Sequence, residues 1–295
     1  MSRLRLRFFV PVLLALVAPL VIGIGAVGAA TSSPPRGTCQ PLIPFRASNF
    51  GQSTRIDNQF LPLAPGVQTV LEGRSNTGGG VLPHTVVFTV TDLVKQISGV
   101  YSLTVLDIDI DDGKTSEAEL SFWAQDKDGN VWNLGEYPEE YDNGKFTGAP
   151  ATWFNGLQGA IGGLHMLADP RLGTPRYLQG YSPSIDFLDC AQVYAHNQSV
   201  CVPVSCYSGV LITDETSPLE DPNAHQRKYH APGVGIVEVT AVNDPEGETL
   251  VLVQRRSLDS RELMQARQDA LKLEQHAYRT NPLYQQTLPM FTASS

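Results

Sequence analysis

Thr115-Ser116-Glu117-Ala118-Glu119-Leu120-Ser121-Phe122-Trp123-Ala124-Gln125-Asp126-Lys127-Asp128-Gly129-Asn130-Val131-Trp132-Asn133-Leu134-Gly135-Glu136-Tyr137 carries the fold in its pattern. Ala118, Leu120, Phe122 and Ala124 alternate with Glu117, Glu119, Ser121, Trp123 and Gln125, the period of a strand with two unlike faces. Asp126-Lys127-Asp128-Gly129-Asn130 breaks the run, and Val131–Tyr137 resumes it. Two apolar-rich runs around an Asp-Gly turn are a strong short-range signature of a β-hairpin.

The same alternation of apolar run and turn extends both ways. Upstream lie Val67–Gly73, His84–Val94 and Val100–Ile110, the last leading into Asp111-Asp112-Gly113-Lys114. Downstream, Asp142-Asn143-Gly144-Lys145 closes another turn, and Gly148–Pro175 is looser. Further strands are expected at Pro175–Gly180, Cys190–His196, Cys206–Asp214, Lys228–Asn243 and Glu248–Ser257. Short sequential strands of this kind predict a mainly β chain, an antiparallel meander forming a β-barrel or half-barrel. Closure would also remove exposed sheet edges. One C-terminal α-helix is expected, because Leu263, Ala266, Ala270, Leu273 and Ala277 recur at helical spacing. Ser257 or Ser260 is the expected cap and Asn281-Pro282 the stop. The helix would pack on the sheet or plug one end of the barrel.

Composition agrees. With 42% hydrophobic and only 17% charged residues, the 295-residue chain has material for a large core and is unlike a coiled coil or a disordered segment. Its net charge of −9 repels phosphate backbones, so no nucleic acid is expected as a partner. Arg3, Arg5 and Arg7 precede an apolar run from Phe8 to Ala30 that ends in small residues. That order reads as a signal peptide over 1–30, with retention as an N-terminal anchor the alternative. Residues 31–56 then read as an extended lead-in, 57–257 as the barrel domain and 258–295 as helix and tail. Secretion without stable membrane insertion is the expectation.

Cys39, Cys190, Cys201 and Cys206 all follow the signal, an even number suited to an oxidising compartment. Three pairings are possible. The favoured one closes the short loop Val202–Ser205 through Cys201–Cys206 and ties the lead-in to the body through Cys39–Cys190. A zinc site is the rival, but no C-x-x-C pair is present and His196 is the only nearby histidine.

Several residues could carry chemistry. Asp107, Asp109 and Asp111 share one face of their strand. A three-residue turn would set Asp109 opposite Glu117 and Asp107 opposite Glu119, whereas a two-residue turn would separate them. Such a cluster is a solvated hairpin, a Ca²⁺ site or a set of catalytic carboxylates. No other metal or cofactor is expected. Trp123, Trp132 and Trp153 could line an apolar pocket or stack on a sugar. The glycine-rich loop Gly156–Pro170, carrying His165, has the makings of a lid. Arg176, Tyr177, Lys228 and Tyr229 begin later strands, at a barrel end where side chains can converge on a ligand. No GxSxG, HExxH or phosphate-loop motif is present.

Three segments bear a resemblance. Asn58-Gln59-Phe60-Leu61-Pro62-Leu63-Ala64-Pro65-Gly66, the Trp-rich hairpin 122–136, and Lys228-Tyr229-His230-Ala231-Pro232-Gly233-Val234-Gly235-Ile236-Val237 resemble the opening strand, central hairpin and closing strand of an uncharacterised secreted bacterial family related to TapB-like, lipocalin-like β-barrel proteins. The resemblance covers roughly residues 57–256 and implies architecture more than activity. Glu117, Glu136 and Lys228 match its polar positions; Ser121, Gln226 and Thr69 depart from its usual Asp, Glu and Trp.

The leading expectation is a secreted barrel that binds a small or extended ligand, lipid-like or saccharide, in its mouth. One alternative is a carbohydrate-active hydrolase or lyase using Glu117 or Glu136 with His165 or Tyr177 as acid–base partners. Another is a structural, envelope-associated protein.

Overall fold

The computed structural model describes residues 33–76, 80–219 and 221–292. The segment 1–30, read above as a signal peptide, lies outside them. The strands are β1 (Val67–Asn76), β2 (Val81–Ile97), β3 (Val100–Asp111), β4 (Lys114–Gln125), β5 (Val131–Asp142), β6 (Lys145–Gly148), β7 (Trp153–Phe154), β8 (Ile161–Met166), β9 (Tyr177–Ser182), β10 (Phe187–Val202), β11 (Ser205–Thr216), β12 (His225–Ala231), β13 (Gly235–Val242), β14 (Thr249–Ser257) and β15 (Phe291–Thr292). One α-helix, α1, spans Ser260–Thr280.

Twelve of these, β1–β5 and β8–β14, pair antiparallel with their chain neighbours, and β1 pairs with both β2 and β14. The meander is therefore a closed barrel, the first of the two forms, barrel or half-barrel, that the turn pattern leaves open. Strands β6 and β7 are short excursions off β5. The run Lys228–Asn243, which reads as one strand, is two, divided at the turn after Ala231.

Alternation assigns the walls. Leu106 faces Leu120 and Ile108 faces Ala118 on the outside, where Ala118, Leu120 and Phe122 share a core with Ala270, Leu273 and Ala277 of α1. The helix thus covers the outer wall over β2 and β4 rather than an end of the barrel. Its cap is Asp259, not a serine. That side chain accepts the Arg261 and Glu262 amides while Glu262 reaches back to the Asp259 amide, a capping box. Between helix and wall, Lys95 donates to Glu274 at 3.0 Å, and the Tyr284 ring centroid lies 4.2 Å from its ammonium. Burial lowers the Lys95 pKa to about 8 against the opposing pull of Glu274.

Residues 47–66, at the junction of the lead-in and the barrel strands, cross one end of the barrel as a cap. The Gln125 amide donates to the Ser53 carbonyl at 2.8 Å, the Gly233 amide to the Gln59 carbonyl at 2.8 Å, and the Ser53 hydroxyl to the Tyr101 carbonyl at 2.6 Å. Asn58 is the pin. Its Nδ2 donates to the carbonyls of Gly129 and Leu167, and its Oδ1 accepts the Phe60 and Leu61 amides. Phe60, Leu61 and Leu63 are thereby buried at the barrel mouth. The segment resembling an opening strand is mostly this cap, and the wall begins at Val67.

Both expected disulfides are formed, Cys39–Cys190 and Cys201–Cys206. The second lies directly across the β10–β11 ladder. No described helix is long and apolar enough to cross a membrane.

Candidate functional site

The inner face of β3 and β4 carries a ladder of acids. Asp107 stands opposite Glu119 and Asp109 opposite Glu117, all four buried. The turn itself has two residues, Asp112 and Gly113, both at positive φ, as a type I′ hairpin requires. A shift of register beside Ile110, with Ser116 as the extra residue, restores the facing of the acids. Among the described residues no group of three or more His, Cys, Asp or Glu is arranged to hold a metal ion.

Two cations stand against the lumen acids. Lys228 on β12 meets Glu215 on β11 at 2.5 Å. Burial pushes the Glu215 carboxyl up, but Lys228 outweighs it and holds the pKa at about 2. His84 on β2 contacts Asp111 at 2.7 Å and Glu248 at 3.1 Å. Burial would deprotonate this ring, yet the paired carboxylates prevail and raise its pKa to about 10. Gln226 donates to Glu248 from the neighbouring position.

His165 does not sit on a lid. The glycine-rich segment contains β8, a wall strand between β5 and β9. A Cβ at Gly162 would lie 2.7 Å from the Asn133 carbonyl oxygen, and one at Gly163 2.3 Å from that of Leu178, so the glycines mark close packing. His165 stacks edge-on against Trp123 with centroids 4.7 Å apart, and burial lowers its pKa to about 3. His230, also buried, is lowered to about 4. Burial raises the Tyr177 phenol, and its hydroxyl has no hydrogen-bond partner among the described residues.

The remaining candidates disperse. Glu136 pairs with Ser121, four residues along β4 from Glu117, or about 13 Å of strand. Its carboxylate accepts from Asn133 at 2.6 Å and Trp153 at 3.0 Å, so it serves the packing of β7 onto β5. Trp123, Trp132 and Trp153 are at most 1% exposed, which leaves no ring face for a sugar. Trp132 lies outside, between Phe45 and Phe50, with its ring N–H on Asp126 at 2.9 Å. The Asp126 carboxylate also accepts the Asp128 and Asn130 amides and so braces its own turn. Arg176 is exposed, and Tyr229 lies on the opposite face of β12 from Lys228. Of the residues expected to bind ligand, Lys228 alone lines the cavity beneath the cap. Of the three departures from the resembled pattern, Ser121 accepts the Trp123 ring N–H at 2.8 Å, while Gln226 and Thr69 line that cavity.

The cavity has a volume of about 70 Å³ and lies beneath the cap. Leu61, Pro62 and Leu63 roof it; Val67, Leu71, Val86, Phe88, Val90, Val239 and Leu250 are among its walls; Thr69, Asp107, Gln226, Lys228 and Glu248 supply its polar residues. On β12 the lining runs from Gln226 to the β12–β13 turn, about 16 Å of strand. Sequence reasoning missed Val86, Leu250, Glu248 and Asp107 as pocket residues, since only the closed register shows that their strands converge.

No family model matches the sequence, and no curated protein does. Two solved structures are similar. One is a "putative exported protein with YmcC-like fold" from Bacteroides fragilis, at 14% identity and a TM-score of 0.39, covering 68% of this chain and 100% of that one. The other is a "putative lipoprotein" from Parabacteroides distasonis, at 12% identity and a TM-score of 0.33, covering 68% and 99%. Neither bears the TapB name.

Proposed function

We propose that this chain is an exported binding protein that takes a small, mainly apolar ligand into the barrel lumen beneath the 58–63 cap. The observation that carries the reading is the cavity: aliphatic walls along several strands, a few polar side chains, and a roof built from the chain's own Leu61 and Leu63. Ligand sites of soluble proteins have this composition. The two disulfides suit an exported protein.

At about 70 Å³ the space is roughly half that of an apolar cavity known to hold benzene, near 150 Å³. The capped form therefore seats a short apolar group, and a longer ligand requires Phe60, Leu61 and Leu63 to withdraw. In this reading those side chains fill the mouth until a ligand replaces them. A lipid-like ligand fits better than a saccharide, because the tryptophans are sealed inside the packing.

The test is titration of the oxidised chain with the neutral fluorescent probe N-phenyl-1-naphthylamine, with decanol as competitor. Saturable binding that Leu250→Trp abolishes and Leu61→Ala strengthens is the expected result. Failure to saturate, or binding indifferent to both substitutions, overturns the proposal.

A further inference from the structure

The charges along the cavity go further than its shape. Lys228, which lines it, is already engaged by Glu215 at 2.5 Å. His84 is engaged by Asp111 at 2.7 Å and Glu248 at 3.1 Å. Apart from the Thr69 hydroxyl, which can donate or accept, the polar lining is dominated by acceptors. Asp107 faces Glu119 across the ladder, Glu248 borders the space, and Gln226 turns its amide N–H toward Glu248, which leaves its carbonyl oxygen as an acceptor.

Resting on the binding reading above, we propose that the lumen selects an apolar ligand whose polar end donates hydrogen bonds, a primary alkyl amine above all, and rejects alkyl carboxylates. A carboxylate reaching this end meets like charge in a region of low dielectric, where each wall cation already serves a carboxylate. An ammonium group meets the opposite sign and brings three donors to a surface of acceptors. An alcohol, neutral and able to donate one bond, ranks between them. The aliphatic walls hold the chain in all three cases, so the difference resides in the head group.

The experiment is competition against N-phenyl-1-naphthylamine by decylamine, decanol and decanoate, with the oxidised chain at pH 7.5. Decylamine is expected to displace the probe at a concentration about tenfold lower than decanoate, with decanol between. Decanoate equal to or better than decylamine overturns the head-group preference and leaves apolar binding standing. No displacement by any of the three overturns both. The chain is acidic throughout, with a net charge of −9, so general attraction of amines is separated by the variant Asp107→Asn/Glu248→Gln. The preference is expected to fall below about threefold in that variant; an unchanged preference overturns the assignment to the lumen.

Discussion

Asp109 on β3 lies directly opposite Glu117 on β4, although the turn joining the two strands holds only Asp112 and Gly113. A two-residue turn alone would have set the acids on opposite faces; the extra residue at Ser116 turns them back toward each other. The barrel thus sets two pairs of carboxyl groups face to face in its lumen, an arrangement that costs stability and shapes the field a ligand meets.

Relieving one pair should therefore stabilise the fold. Glu119→Gln, opposite Asp107, is expected to gain about 0.5–1 kcal/mol at pH 7.5, or about 1–2 °C in Tm. Thermal melts of the two proteins at pH 7.5 check this, and a variant that melts below the wild type contradicts it.

His84 gives the stability a pH dependence. Its pKa rises from an ordinary 6.5 to about 10 on folding. The folded chain therefore binds this proton more tightly, and the resulting stability is complete below pH 6.5 and lost as pH climbs toward 10. His84→Gln should cost about 3 kcal/mol near pH 6.5, because Asp111 and Glu248 lose their shared cation. Urea unfolding at pH 6.5, 8 and 10 should show the gap between wild type and variant closing stepwise.

His165 and His230 act the other way, with folded pKa values of about 3 and about 4. Both are neutral in the barrel and gain protons on unfolding, so their contribution is present above pH 6.5 and drains away as pH falls toward 3. Replacing His165 with Gln should flatten the acid limb of the stability curve between pH 6 and pH 4, measured by urea midpoints.

The Lys228–Glu215 pair separates the value of a contact from the cost of breaking it. Lys228→Met alone should destabilise by about 3–5 kcal/mol, since it strands a buried carboxylate. Adding Glu215→Gln should recover most of that loss. Chemical denaturation of the two variants decides it, and a double variant as weak as the single one contradicts the account.

Asn58 is the corresponding test of the cap. Asn58→Ala removes four hydrogen bonds and should cost about 2–4 kcal/mol while speeding association of the neutral probe. Stopped-flow fluorescence with a parallel melt reads both effects. A slower on-rate would show that the mouth is not the way in.

Much of the barrel is legible in the sequence because Asp-Gly and Asn-Gly turns and two-residue alternation are local signals. Strand β8 is not, because Gly162 and Gly163 erase the side-chain pattern where the backbones of β5 and β9 press closest. The cap is hidden for a related reason: Asn58–Leu63 has the apolar content of a strand, and long-range contacts, those of the Asn58 side chain and the Gly233–Gln59 bond among them, fold it across the mouth. Lys228 could be singled out as a polar residue at a strand start. Its partner Glu215 could not, since their meeting depends on the β11–β12 register. The tryptophans suggested a sugar platform by type, and burial assigns them to packing.

The Cys39–Cys190 bond spans 151 residues, and its meaning for the cap is one of tether rather than clamp. Residues 40–66 are fastened to the wall at both ends, by sulfur at one and by β1 at the other. Such a strap can lift from the mouth and fall back, but it cannot drift away as a loose tail would. Cutting the bond with a reductant would turn a returning strap into a free arm, and closure of the mouth would then have to be found again from a far larger set of conformations.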